Sequence, residues 1–275
     1  MPKAKVLITV KTYPLPTTSH GEVVCTAGLL ENGKWIRIYP ILFRFLSKEK
    51  QFKKYHWIEI DLVKLTTDFR PESYHPKKDV DQNLKILNRI GTKDGWKTRK
   101  KFVLKEVFYS FDKLISLARE DQKKSLATLK PLKIIGFDFE EDEREWKPKW
   151  KARWAQLEIF DKLQISKIIK KVPYKFYYKF LSEGDKNPRK LMIEDWEIGA
   201  LYWNCLKQTN GNELESINLV KKKYFDEFAL NKDLYFFVGT NFENHLKNYR
   251  NPFIIIGLFY PPRIKENHQL EILTE

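Results

Sequence analysis

The chain has only two cysteines, Cys25 and Cys205, among its 275 residues. They lie far apart, and no Cys-x-x-Cys pair occurs. This excludes a disulfide framework and a cysteine-rich zinc site. Such low cysteine use is typical of a reducing compartment, so we predict a cytoplasmic protein.

Long apolar runs and the common nucleotide motifs are also missing. The most apolar stretch, Phe253–Phe259, is too short to span a bilayer, and the apolar run near the N-terminus fits a strand better than a signal peptide. There is no Walker motif, Rossmann fingerprint, His-Glu-x-x-His or Gly-x-Ser-x-Gly. We therefore expect no membrane partner, and we expect neither classical nucleotide hydrolysis nor dinucleotide chemistry.

Acidic residues are scarce relative to basic ones. The chain has 51 Lys and Arg against 36 Asp and Glu, a formal net charge of +15. This excess favours an acidic partner such as DNA or RNA. The abundance of Lys, Asn, Ile, Tyr and Phe is also what AT-rich coding produces, so composition alone is an alternative explanation. The 42% of hydrophobic residues predicts a folded chain with a core.

Period-two alternation predicts strands at both ends of the chain. Asn32-Gly33 predicts a hairpin between the second and third strands, with both residues at positive φ. The predicted strands are 5–12, 22–30, 35–39, 55–65, 102–108, 132–139, 174–180, 234–238 and 253–259. The predicted helices are 80–90, 111–118, 155–169, 191–206 and 213–228, with Ser110 and Asp195 as N-caps.

Regular βαβ alternation is absent, so the pattern indicates an α+β fold. We expect a mixed or antiparallel sheet, or a partly closed barrel, in the first half and helices concentrated in the second half. The composition changes at Glu140, which predicts a β-rich domain with a basic aromatic surface over 1–140 and an α+β domain over 141–275. The first and last strands are candidates for one shared sheet.

Cationic and aromatic side chains alternate in two regions, and such mixtures suit phosphates and unstacked bases. We predict a nucleic-acid-binding protein, with single strands or RNA favoured, because no segment has the pattern of a recognition helix. The predicted contacts in the first region are Trp35, Arg37, Tyr39, Arg44, Lys53, Lys54, Arg70, Tyr74 and His75. Those in the second region are Lys175, Tyr177 and Lys179.

Two other functions remain open from the sequence, and no catalytic residue is assigned. The first is a metal-dependent nuclease using carboxylates near Glu59, Asp61, Asp68 and Glu72, which would require Mg²⁺. No cofactor is expected otherwise. The second is a non-catalytic subunit that binds a protein partner within a larger nucleoprotein complex.

Overall fold

Two β-sheets with short helices around them form the frame of the protein. The computed structural model describes residues 3–17, 21–64, 66–77, 79–121, 123–150, 152 and 169–263. The predicted α+β class is confirmed, and one sheet is curved as a half-barrel. None of the described helices is both long and apolar enough to cross a membrane.

The first sheet has the strand order β6-β7-β4-β3-β1-β5-β8, with β2 paired to β3. Its strands are antiparallel except for the parallel pair β4 and β7. The strands are β1 (Ala4–Lys11), β2 (Leu15–Thr17), β3 (Gly21–Leu30), β4 (Trp35–Ile41), β5 (His56–Ile60), β6 (Leu62–Lys64), β7 (Ser73–Pro76) and β8 (Lys85–Arg89).

The second sheet has the order β10-β11-β12-β14-β13-β9, and β12 and β14 run parallel. Its strands are β9 (Leu126–Leu129), β10 (Lys133–Glu141), β11 (Tyr174–Leu181), β12 (Arg189–Ile193), β13 (Tyr235–Thr240) and β14 (Phe253–Phe259). β1 and β14 thus lie in different sheets, although they contact each other where the sheets meet.

The helices are α1 (Val80–Asn83), α2 (Lys97–Val103), α3 (Phe111–Arg119), α4 (Trp196–Gln208), α5 (Glu213–Lys221) and α6 (Phe242–Leu246). A π-helical segment, Lys222–Ala229, continues α5. Three of these helices precede β9, so the predicted concentration of helices in the second half is wrong. The division into domains at residue 140 stays a prediction.

Local signals placed several elements correctly. The hairpin between β3 and β4 is confirmed, with Gly33 at φ +86° and Asn32 outside the left-handed region. Ser110 and Asp195 cap α3 and α4 by accepting from the backbone N–H of Lys113 and Glu197. Short polar side chains at these positions satisfy N–H groups that the first helical turn leaves unpaired.

Two predicted elements are wrong, a third begins later than predicted, and one lies outside the described residues. The predicted helix 191–206 begins only at Trp196, because Leu191–Ile193 belong to β12. The predicted helix 80–90 ends at Asn83, and Lys85–Arg89 forms β8 because it pairs with β5 in the first sheet. The predicted strand 102–108 overlaps α2, whose buried Arg99 donates to the carbonyl of Ile90. The predicted helix 155–169 falls almost entirely on residues that the structure does not describe.

The sheets share a core where they meet, which we call the seam. Leu7, Val10 and Trp35 from the first sheet pack in one buried cluster with Phe237 and Phe259 from the second. The rings of Trp35 and Phe237 meet edge to face at 5.3 Å. Burial of large apolar side chains from both sheets therefore stabilises their contact.

A buried ion pair also crosses the seam. The Nζ of Lys54, from the turn before β5, donates to both carboxylate oxygens of Asp195 at 2.8 and 2.9 Å and to Glu197 at 2.8 Å. Asp195 is completely buried. Burial alone would lower the pKa of Lys54, but the two carboxylates outweigh that effect and raise the pKa.

Lys54→Met should lower the free energy of unfolding by about 3–5 kcal/mol, because Asp195 would stay buried without its cation. The matched control is Lys179→Met, which breaks an exposed pair with Asp138 and should cost about 0–1 kcal/mol. Urea denaturation of both variants measures the difference. Equal losses in the two variants would contradict a structural role for the buried pair.

Candidate functional site

A cavity of about 370 Å³ opens at the seam. Its rim is exposed to solvent, whereas its floor is buried. The rim consists of Leu15, Thr67, Asn241 and Phe242, and the remaining lining residues are Thr12, Cys25, Arg37, Tyr39, Asp68, Arg70, Glu194, Gly239, Thr240, Ile254 and Ile256. A concave, largely apolar space with a few polar groups is typical of a small-ligand site.

Arg37 lies on β4 with only 3% of its surface exposed. Its Nη1 donates to Ser73 Oγ at 3.1 Å and to Ser125 Oγ at 2.8 Å, and its Nη2 donates to the Ser125 carbonyl. Glu72 accepts from both the backbone N–H and the hydroxyl of Ser125. The guanidinium therefore fixes β4 against the start of β9, where the two sheets meet.

Arg70 forms a second polar link across the seam. Its Nε and Nη2 donate to the carboxylate of Asp68, and its Nη1 donates to the carbonyl of Thr240 at the end of β13. Burial alone would raise the pKa of Asp68, but the hydrogen bonds and charge of Arg70 outweigh it and lower the pKa to about 2. The pair is thus ionised, and it holds the cavity floor in one geometry.

Glu194 follows β12 at the junction of the two sheets. Its backbone N–H donates to the carbonyl of Ile255 on β14, and its carbonyl accepts from the N–H of Tyr13 after β1. Its carboxylate has no hydrogen bond or ion pair with any residue in the described part of the chain. Burial raises the pKa of Glu194 to about 7, and the positive charge of Lys175 partly offsets this shift.

The structure brings three of the predicted contacts, Arg37, Tyr39 and Arg70, together in the cavity lining. Trp35 and Lys54 lie in the buried seam, as described above. Arg44 donates to Glu22 at 2.6 Å, and Lys64 lies over the ring of Tyr74. His75 is half-buried on β7, whereas Lys53 is exposed and its ammonium forms no ion pair with a described residue.

The cations of β11 lie close to acidic residues on β10 and directly after it. Lys179 pairs with Asp138 at 2.9 Å, Lys175 pairs with Asp142 at 3.2 Å, and the hydroxyl of Tyr177 donates to Glu140 at 2.7 Å. These cross-strand pairs follow from the antiparallel register of β10 and β11. The predicted contacts in this strand are therefore locally neutralised.

A second surface, which we call the cationic groove, was not predicted. It is lined by Arg119 at the end of α3, Lys186 in the β11–β12 turn, and Arg250 before β14. Arg189 also lines it and is paired with Asp112 and Asp185. Arg119, Lys186 and Arg250 form no ion pair with any residue that the structure describes. They are far apart in sequence, so no local pattern indicates that they lie together.

Two of the four carboxylates of the nuclease alternative have internal roles. Asp68 binds Arg70, and Glu72 binds Ser125. Within the described ranges, no group of three or more His, Cys, Asp or Glu side chains is arranged to hold a metal ion. The nuclease alternative stays a prediction that no observed geometry favours.

Comparison with known proteins gives the family of the chain. The model described as Domain of unknown function (DUF8757) matches residues 90–274, and Domain of unknown function (DUF8758) matches residues 2–105. The chain belongs to the DUF8757 family. The two matches overlap at residues 90–105, which contain α2.

No curated protein matches this DUF8757 chain. Among solved structures, it is similar to one titled crystal structure of the tetrameric p202 HIN2, over 72% of each chain. The identity is 8% and the TM-score is 0.29. A likeness of this size carries no argument about fold or function.

The buried His245 of α6 supports the cavity floor and predicts an acid sensitivity. Its Nδ1 lies 3.0 Å from Thr240 Oγ1, and its Nε2 lies 2.7 Å from the carbonyl of Ala118. Burial lowers the pKa of His245 below 6.5, and the charges of Arg70 and Arg37 lower it further. The unfolded chain therefore takes up this proton first, and acid favours unfolding.

The contribution of His245 to the free energy of unfolding should therefore fall as the pH drops from about 7 through the model-peptide His pKa of about 6.5, whereas the raised pKa of Glu194 acts in the opposite direction. His245→Gln should be less stable at neutral pH, because it loses one of the two hydrogen bonds, and its free energy of unfolding should rise less with pH over this range than that of the unmodified chain. Urea denaturation at a series of pH values measures both slopes. Parallel slopes for the two proteins would show that His245 is not responsible.

Proposed function

We propose that the chain binds nucleic acid, with single strands or RNA favoured, and that phosphates lie in the cationic groove. The observation that supports this proposal is the set of cations Arg119, Lys186 and Arg250 on one surface, which form no ion pair with a described residue. An external phosphate reaches a cation only if that cation is exposed, and it gains most if no carboxylate already neutralises it. These three cations are exposed and meet both conditions among the described residues, whereas Arg189 in the same groove is paired with Asp112 and Asp185.

The groove also has an exposed aromatic residue beside it. Tyr249 is 51% exposed, and its carbonyl accepts from Nη2 of Arg119. An exposed ring next to phosphate-binding cations suits stacking with an unpaired base, which is why single strands are favoured over duplex. Lys53 is retained as a further phosphate contact because its ammonium is exposed and free of ion pairs with described residues.

Binding of a labelled single-stranded oligonucleotide should weaken steeply as salt rises. Each phosphate contact contributes about −0.7 to the slope of log K against log salt for single strands, so Arg119→Gln/Lys186→Gln/Arg250→Gln should reduce the magnitude of the slope by about 2. Fluorescence anisotropy at several salt concentrations measures this slope.

The matched control is Lys175→Gln/Lys179→Gln, which removes cations that already face Asp142 and Asp138. This control should leave the slope close to that of the unmodified chain. A triple groove variant with an unchanged slope would overturn the placement of phosphates in the groove. Binding that does not depend on salt at all would overturn the proposed function itself.

A further inference from the structure

The cavity at the seam has a chemistry that differs from that of the cationic groove. Both of its guanidinium groups, Arg37 and Arg70, already bind internal acceptors. A phosphate entering the cavity would therefore find no cation that is free of partners. Among the charged groups of the lining, the one without an ion pair or side-chain hydrogen bond to a described residue is the carboxylate of Glu194, which is an acceptor.

Glu194 is half-buried, and its carboxylate accepts no hydrogen bond from a described residue, so a ligand that donates to it gains a hydrogen bond without displacing an internal partner. The backbone of Glu194 is held, because its N–H and its carbonyl are bound to different sheets. The residue lines both this cavity and a smaller one of about 130 Å³ that includes Lys175. The point from which its carboxylate reaches into the cavity is thus set before any ligand binds.

The other walls suit a flat ring. Ile254 and Ile256 provide apolar surface inside, and Phe242 provides an exposed aromatic ring at the rim. The ring of Phe242 is held by Phe69, at a centroid distance of 5.7 Å, and by the guanidinium of Arg70 at 5.2 Å. A planar heterocycle can pack against the exposed part of this fixed ring.

We propose that the cavity binds one nucleobase that carries an exocyclic amino group, which donates to Glu194 while the ring packs against Phe242. This goes beyond the proposed function, since a free nucleoside presents the same edge as an unstacked base of a strand. Cytosine, adenine and guanine carry such an amino group, whereas uracil and thymine do not. A carboxylate is the usual acceptor for the cytosine amino group.

The test is calorimetric titration of the full chain with cytidine and, separately, with uridine, at a pH above about 8, where the Glu194 carboxyl, with its pKa of about 7, is ionised and only accepts. These nucleosides share the sugar and differ at the position of the amino group, so cytidine should bind about tenfold more tightly or better. Glu194→Gln should lose this preference, because an amide offers a donor to the uracil oxygen as well as an acceptor. Equal affinity for both nucleosides in the unmodified chain would overturn the role of Glu194.

A variant at the rim tests where the nucleoside binds without altering the buried lining of the cavity. Thr67 is exposed at the rim, so Thr67→Trp should block the cavity and abolish cytidine binding. Lys179→Gln, on the distant paired strand, should leave cytidine binding unchanged. Cytidine binding that survives Thr67→Trp would place the nucleoside elsewhere, and no binding of cytidine, adenosine or guanosine would overturn the proposal.

Oligonucleotides test whether the cavity also binds a base that belongs to a strand, and not only a free nucleoside. A strand with one cytidine among abasic positions should bind more tightly than the fully abasic strand, and Thr67→Trp should remove that difference. If the two strands bind equally but affinity still falls with salt, base binding in the cavity is wrong and the proposed nucleic-acid binding stands. If nucleosides bind but oligonucleotide affinity does not depend on salt, phosphate binding in the groove is wrong and base binding in the cavity stands.

Discussion

Buried cations at the junction of two β-sheets are the constraint on which the rest of this structure depends. Arg37 and Arg70 each span from the first sheet to the second, and Lys54 reaches the fully buried Asp195. A charge removed from water is tolerable only when partners hold it in good geometry. The contacts that satisfy these charges therefore also fix how the sheets meet, and the cavity is the space they leave.

Cationic side chains consequently occupy three kinds of environment in this chain, which the net charge of +15 does not distinguish. Some cations lie inside and join the sheets, as Arg37 does. Others, such as Lys179, are neutralised by acidic residues on the neighbouring strand. The cations left for an acidic partner are those of the cationic groove and isolated exposed lysines. Net charge predicts a class of partner, but only the fold tells which residues can meet it.

Sequence reasoning succeeded where the signal was local. Gly33 and the flanking alternation predict the β3–β4 hairpin, and the caps of α3 and α4 depend on neighbours within three positions. It failed where the conformation of a segment depends on a segment distant in sequence, as for β8, which is a strand because it pairs with β5. The site follows the same rule: Arg37 and Arg70 were singled out, but Phe242 and the role of Glu194 depend on how the sheets meet.

Arg70 links the two sheets internally rather than contacting a phosphate, and the salt dependence of oligonucleotide binding by Arg70→Gln distinguishes these two roles. An internal link predicts an unchanged slope of log K against log salt for a single-stranded oligonucleotide, together with a lower free energy of unfolding. A phosphate contact would instead give a slope reduced by about 0.7, the value of one lost contact, with the free energy of unfolding unchanged.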